Sequence, residues 1–132
     1  MSRALDDLVE PFRTKAMVFL ARSVEAGIPL LLVETRRTPA QHALNLAKGA
    51  SWTPHSKHLD GLAMDVVPYE LYTAAPGGDK LAWNIDHPSW VPLVKIAKGL
   101  GFRCGADWAQ RDYCHFEDAD SGGDVRRSMK TA

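Results

Sequence analysis

Ser56-Lys57-His58-Leu59-Asp60-Gly61-Leu62-Ala63-Met64-Asp65 is the stretch on which the reading of this chain turns. His58 and Asp65 are both metal-ligand types, seven residues apart. A continuous strand would separate them by about 23 Å and a helix by about 10 Å. Two ligands of one ion approach within a few ångströms, so the chain must reverse between them. Asp60-Gly61 is a strong hairpin dipeptide. With that pair as the loop, Leu59 pairs with Leu62, His58 with Ala63 and Ser56 with Asp65. Strand alternation then sets Ser56, His58, Ala63 and Asp65 on one face.

A second cluster follows at Asp107-Trp108 and Asp112-Tyr113-Cys114-His115-Phe116-Glu117. His115 can complete a two-His, one-carboxylate set, which leaves zinc's fourth position for water. Binding to the metal lowers that water's pKa toward ~7, within reach of a carboxylate base. Asp112 is the candidate base. Glu117 is its rival, or an outer partner that fixes the His115 ring. Taken singly, each feature also has an ordinary reading: a solvated pair, a plain turn, a hydrogen-bonded core histidine.

Around these clusters the pattern alternates irregularly between helix and strand. Residues 11–26 place Phe12, Ala16, Phe19, Leu20 and Val24 at helical spacing, with Pro11 opening the helix and Gly27 closing it. Ile28 to Val33 is an apolar run of strand length. Thr38-Pro39 caps and opens a second helix, which runs to about Lys48 before Gly49. Residues 50–56 read as loop, and Leu62 to Val67 as a strand stopped by Pro68. Thr73 to Pro88 is a long excursion. Ser89 caps a third helix to about Gly99, offering Val91, Val94 and Ile96 or Ala97 to a core. Tyr113 to Glu117 is a last short strand, and the tail from 118 to 132 is polar. The expected class is α+β: a small antiparallel sheet carrying the site, with about three helices around it.

The chain of 132 residues fits one domain, with its core at about 11–117. Sixteen basic against sixteen acidic residues give zero formal charge, without the basic stripe of a nucleic-acid binder. No apolar run approaches the ~20 residues of a membrane span, and the first twenty residues do not read as a signal peptide. The two cysteines, Cys104 and Cys114, allow one bridge at most, and two free thiols are the favoured reading.

The string SKHLDGLAMD is similar to the Ser-x-His-x-x-x-Gly-x-Ala-x-Asp style of signature in the M15 zinc peptidases, spaced here as Ser56, His58, Gly61, Ala63 and Asp65. DWAQRDYCHFE resembles the family's second signature, a Trp followed by Asp-x-x-His-Phe-Glu. Upstream, ETRRTPAQHALNLAKGAS resembles the Arg-Ser/Thr-x-x-x-Gln segment. The three blocks stand in family order within residues 28–117.

The resemblance implies a LAS-type fold, with one Zn2+ per chain on His58, Asp65 and His115, and Asp112 as catalytic base. It implies that Arg37 holds a substrate oxygen and steadies the developing oxyanion. Gln41 and Ser56 become supports for the Arg or the site hairpin, and Trp108 a wall of the cleft. Arg36 reads as a surface charge, and His42, His55 and His87 as non-ligands. Cys114 departs from the family pattern and reads as a packed thiol. Short members of this style resemble phage endolysins that cut the L-alanyl-D-glutamate bond of the peptidoglycan stem. Related D-alanyl-D-alanine carboxypeptidases and dipeptidases are the alternative. The implied protein is a monomer without nucleic-acid or membrane partners, held in the host cytoplasm and released to act on peptidoglycan in the periplasm.

Overall fold

Helix α1 spans Phe12–Glu25 and buries Phe12, Ala16, Phe19 and Ser23, a stripe at helical spacing. Ser23 Oγ donates to the Phe19 carbonyl at 2.7 Å, which lets a hydroxyl sit in that stripe. Val24, expected on the core face, lies one position off it and is exposed. Strand β1 is Leu30–Glu34, and helix α2 is Pro39–Ala47. Thr38 Oγ1 accepts from the Gln41 amide at 3.1 Å, so the cap read from Thr38-Pro39 is present. These elements belong to a computed structural model that describes residues 2–49, 56–69, 81–109 and 111–119.

Strand β2 is Ala63–Pro68, helix α3 Trp90–Gly99, strand β3 Phe102–Cys104 and strand β4 His115–Asp118. Ser89 stands at the start of α3 but makes no side-chain cap bond. The Trp90 indole anchors that end instead, donating to the carbonyls of Ala82 at 3.1 Å and Asn84 at 3.0 Å. Burial of Trp90 sets the helix phase, so Leu93 and Ala97 face the core and Val91 is exposed rather than packed.

The sheet order is β1-β2-β4-β3, with every pairing antiparallel. Alternation gives the sheet two different faces. Met64, Val66, Phe116, Phe102 and Cys104 join Phe12 and Phe19 in the hydrophobic core. The Phe19 ring lies 5.2 Å from that of Phe116 and 5.7 Å from that of Phe102. Each fully buried phenylalanine contributes about 1.5–3 kcal/mol of burial free energy. The opposite face carries Glu34, Asp65 and His115 in one row, because Glu34 is opposite Asp65 and Asp65 opposite His115. A bulge between Leu32 and Glu34 brings Glu34 into that row.

The expected hairpin at Asp60-Gly61 is not formed. Lys57–Asp60 is a single turn of 3₁₀ helix, so the pairings Leu59 with Leu62, His58 with Ala63 and Ser56 with Asp65 do not occur. A type I′ hairpin needs two left-handed residues. Only Gly61 is left-handed here, at φ 70°, and no non-glycine among the described residues has positive φ. Ser56 Oγ accepts from the His58 amide at 3.2 Å, capping the turn. A Cβ on Gly61 would also approach the Asp7 carbonyl oxygen to 2.9 Å, so conformation and space both select glycine.

Packing begins before residue 11, since Leu8 is fully buried. Ser2 extends the edge beyond β1: its amide donates to the Arg36 carbonyl at 3.1 Å, and its own carbonyl accepts from Thr35 at 2.8 Å. Cys104 and Cys114 are free thiols, as expected. Residues 50–55 with His55, residues 73–80 of the long excursion and tail residues 120–132 lie outside the described residues.

Candidate metal centre

Asp65 and His115 are cross-strand partners, and His58 arrives from the 3₁₀ turn above them. Asp65 Oδ1 lies 3.1 Å from His58 Nε2 and 3.2 Å from His115 Nδ1. One ligand atom from each of the three residues falls within 4.8 Å of the other two. The geometry fits a single ion bound by two imidazoles and a carboxylate. Both rings are buried, while Asp65 keeps 17% of its side chain exposed, so the cluster is open to solvent on one side.

The second nitrogen of each ring is already committed. His58 Nδ1 sits 2.7 Å from the Thr35 carbonyl oxygen, which can only accept, so Nδ1 donates and Nε2 turns its lone pair to the centre. His115 Nε2 sits 2.8 Å from Glu117 Oε1, which leaves Nδ1 for the centre. This is the outer-shell arrangement that orients histidine ligands. Burial opposes charge on Asp65, but the imidazoles of His115 and His58 beside it outweigh burial and hold the carboxyl well below its usual range. Burial likewise disfavours protonated His115, yet Asp65 and Glu117 on either side push its pKa up to about 10. A carboxylate between two imidazoles is a donor set that suits a divalent cation once the His115 proton has left.

Asp112 sits on the loop between β3 and β4. Its amide donates to the Gly105 carbonyl at 3.0 Å, and its carbonyl accepts from His115 at 3.1 Å. A Cβ on Gly105 would lie 2.0 Å from the Asp112 carbonyl oxygen, so this close approach requires glycine. Burial, then the negative charge of Asp65, raise the Asp112 pKa. Cys114 Sγ donates to Asp112 Oδ1 at 3.4 Å and is half-buried, consistent with a packed thiol rather than a ligand. Trp108 stacks at 4.8 Å on the His115 ring.

Glu117 is buried, with its oxygens engaged by His115 Nε2 and by Lys57 Nζ at 3.3 Å. That position suits fixing the ring and not reaching substrate. Gln41 Nε2 donates to Asn45 Oδ1 at 2.9 Å, and among the described residues the hydrogen bonds of the Arg37 side chain go to Glu34 and His42. Arg37 is oriented instead by two residues the sequence reading passed over. Its Nε and Nη2 bind the buried Glu34 carboxylate, and its Nη1 lies 3.1 Å from His42 Nδ1. Its backbone amide also donates to the His58 carbonyl at 3.0 Å. Glu34 Oε1 is 3.7 Å from His58 Nε2, which joins the arginine pair to the cluster. The available signal for Glu34 was an acid closing the run Leu-Leu-Leu-Val, where an exposed strand end would be the ordinary expectation.

A family model described as D-alanyl-D-alanine carboxypeptidase, within peptidase M15, matches residues 49–118. The chain belongs to the M15 peptidases. The match contains all three residues of the cluster and Asp112. The chain is 36% identical over 105 residues to an L-alanyl-D-glutamate peptidase of Listeria phage A118, covering 80% of this chain and 35% of the relative. It is 36% identical over 91 residues to an L-alanyl-D-glutamate peptidase of Escherichia phage T5, covering 62% of this chain and 61% of the relative. The chain thus spans between about a third and three fifths of these relatives' lengths. The M15 fold is also seen against the crystal structure of the Serratia marcescens L-Ala D-Glu endopeptidase ChiX, with TM-score 0.64 and 25% identity over 86% of this chain and 81% of that one. Among the described residues, no helix is long and apolar enough to cross a membrane.

Proposed function

We propose that the chain is a zinc-dependent peptidoglycan peptidase that hydrolyses the L-alanyl-D-glutamate bond of the stem peptide. The observation that carries the reading is the convergence of His58, Asp65 and His115 with one side open, next to Asp112. Zinc held there would polarise the scissile carbonyl and acidify a water. Asp112 is the residue that would accept a proton from the attacking water and return it to the leaving amine. Its pKa, raised by burial and then by the charge of Asp65, suits a base, because a more basic carboxylate captures a proton more readily. Arg37 has five N–H donors. Three are engaged by Glu34 and His42 among the described residues, which leaves two for a substrate oxygen. Trp108 and Glu117 hold the His115 ring, and Ser56 supports His58.

The two phage relatives and the Serratia enzyme favour the endopeptidase. The description of the matching family model favours a D-alanyl-D-alanine carboxypeptidase as the second reading. Digestion of purified peptidoglycan, with mass identification of the products, separates them. The expected product carries a new amino-terminal D-glutamate, and a chelator abolishes its formation. Loss of terminal D-alanine alone would establish the carboxypeptidase. The phage origin of two relatives supports action on a bacterial wall; synthesis in the host, a monomeric state and one zinc per chain belong to the same proposal.

The electrostatics give zinc binding a pH dependence with a definite sign. In the metal-free protein His115 is protonated below about 10, and its proton must leave before Nδ1 can bind an ion. Raising pH therefore strengthens binding, by about tenfold per unit between pH 6 and 8 for one displaced proton. Calorimetric titration in buffers of different ionisation enthalpy should read one proton released per zinc. Proton-neutral binding would contradict the assignment of His115 as a ligand.

A further inference from the structure

Lys57 is 5% exposed, a rare setting for an ammonium group. It precedes His58 in the 3₁₀ turn, yet its side chain reaches β4: Nζ donates to the Asp118 carbonyl at 2.6 Å and lies 3.3 Å from Glu117 Oε2. Lys57 has no part in the proton transfers at the centre. A closed circuit of three hydrogen bonds fixes where its ammonium group sits. The Lys57 carbonyl accepts from the Leu62 amide at 3.0 Å, and the Leu62 carbonyl accepts from the Asp118 amide at 3.0 Å. The Asp118 carbonyl then accepts from Lys57 Nζ, which completes the ring. The circuit runs through the turn that carries His58, the residue before β2, which carries Asp65, and the end of β4, which carries His115.

Burying an ammonium group is costly unless a partner compensates it, and the buried Glu117 carboxylate does so here. Strand alternation puts Glu117 on the same face of β4 as His115. Its carboxylate is held at both ends, with Oε1 2.8 Å from His115 Nε2 and Oε2 at Lys57 Nζ. A carboxylate gripped at one oxygen can still turn about its bond to the side chain. Gripped at both, it keeps its plane, and the oxygen facing His115 keeps its direction. The ring it holds then keeps Nδ1 toward Asp65, 3.2 Å from Oδ1. We infer that Lys57 is a positioning residue for the metal centre: through Glu117 it fixes the His115 ring, and so the place of Nδ1 among the ligand atoms. The inference rests on His58, Asp65 and His115 as zinc ligands.

The test measures zinc affinity of the folded full chain by competition with a chromophoric chelator, beside urea unfolding of the metal-free protein. Lys57→Met keeps the apolar stem and removes the charge. It is expected to weaken zinc binding about 10- to 100-fold, the range for outer partners of a histidine ligand. Lys57→Arg restores a cation with N–H donors and should return affinity to within about threefold of wild type. In a Glu117→Ala background, Lys57→Met should change affinity by less than about threefold, because the residue through which Lys57 acts is gone. Should Lys57→Met not fold, Lys57→Gln is the milder replacement, with an expected loss of about three- to tenfold. A purely structural role would lower stability in urea and leave the affinity of the folded protein unchanged, which would overturn the inference. Equal losses of affinity with Glu117 and without it would overturn it too. If the wild-type protein binds no zinc, the metal reading falls and Lys57 with it. If wild type binds zinc and Lys57→Met binds it equally well, the role of Lys57 alone falls.

Discussion

Asp112→Asn should lower kcat/KM for stem-peptide hydrolysis by roughly 10²- to 10⁴-fold, with zinc content unchanged at one per chain. The amide is nearly isosteric with the carboxylate and keeps an acceptor for the Cys114 thiol, so the loop closed by Gly105 is preserved. What is lost is the ability to take a proton from water. Metal content should be spared because the proposed ligand atoms belong to His58, Asp65 and His115 and not to Asp112. Steady-state kinetics with elemental analysis of the same preparation checks both halves. Near-normal turnover by Asp112→Asn, with loss of turnover and retention of metal in Glu117→Gln, would transfer the base role to Glu117. The hydrogen bonds of Glu117 to His115 and Lys57 argue for the first outcome.

Glu34→Ala should destabilise the metal-free protein by about 3–5 kcal/mol, the cost of leaving a buried charge unpaired. Arg37 is 10% exposed at its side chain and Glu34 5%, so solvent cannot replace the missing carboxylate. Urea unfolding of the metal-free protein gives the number, and Tm should fall by on the order of 10 °C. The double change Glu34→Ala with Arg37→Met should be less destabilising than Glu34→Ala alone, because it removes the orphaned charge as well. A single variant no less stable than the double would mean that Arg37 finds other partners.

Most helices and strands were legible because their signals are local. Thr38-Pro39, Pro11 and the apolar run before Glu34 report their own neighbourhood. The phase of α3 was not local: the burial of Trp90, decided by acceptors at Ala82 and Asn84, turned Val91 outward. Strand β3 was missed because Phe102-Arg103-Cys104 is too short to carry a period, and only its pairing with β4 makes it a strand. At the centre, spacing required a reversal between His58 and Asp65, and one is present. The form of that reversal depended on Ser56 capping a 3₁₀ turn, whereas Asp-Gly alone points to a hairpin. His115 was found as a ligand type, but its role as Asp65's cross-strand partner required the sheet order. Glu34 and His42 were invisible as partners of Arg37 because their burial follows from the β1 bulge and the seating of α2.

The sheet order has a consequence for how the molecule assembles. β4 comes last in sequence among the described strands, yet it lies between β2 and β3. Until it inserts, β2 has an open edge, β3 has no partner, and His115 is absent from Asp65's side. Such long-range closure comes late and slowly in folding, after local helices and turns. Fold completion and metal competence are thus a single event: a chain that has not seated its last strand is both an incomplete sheet and an inert enzyme.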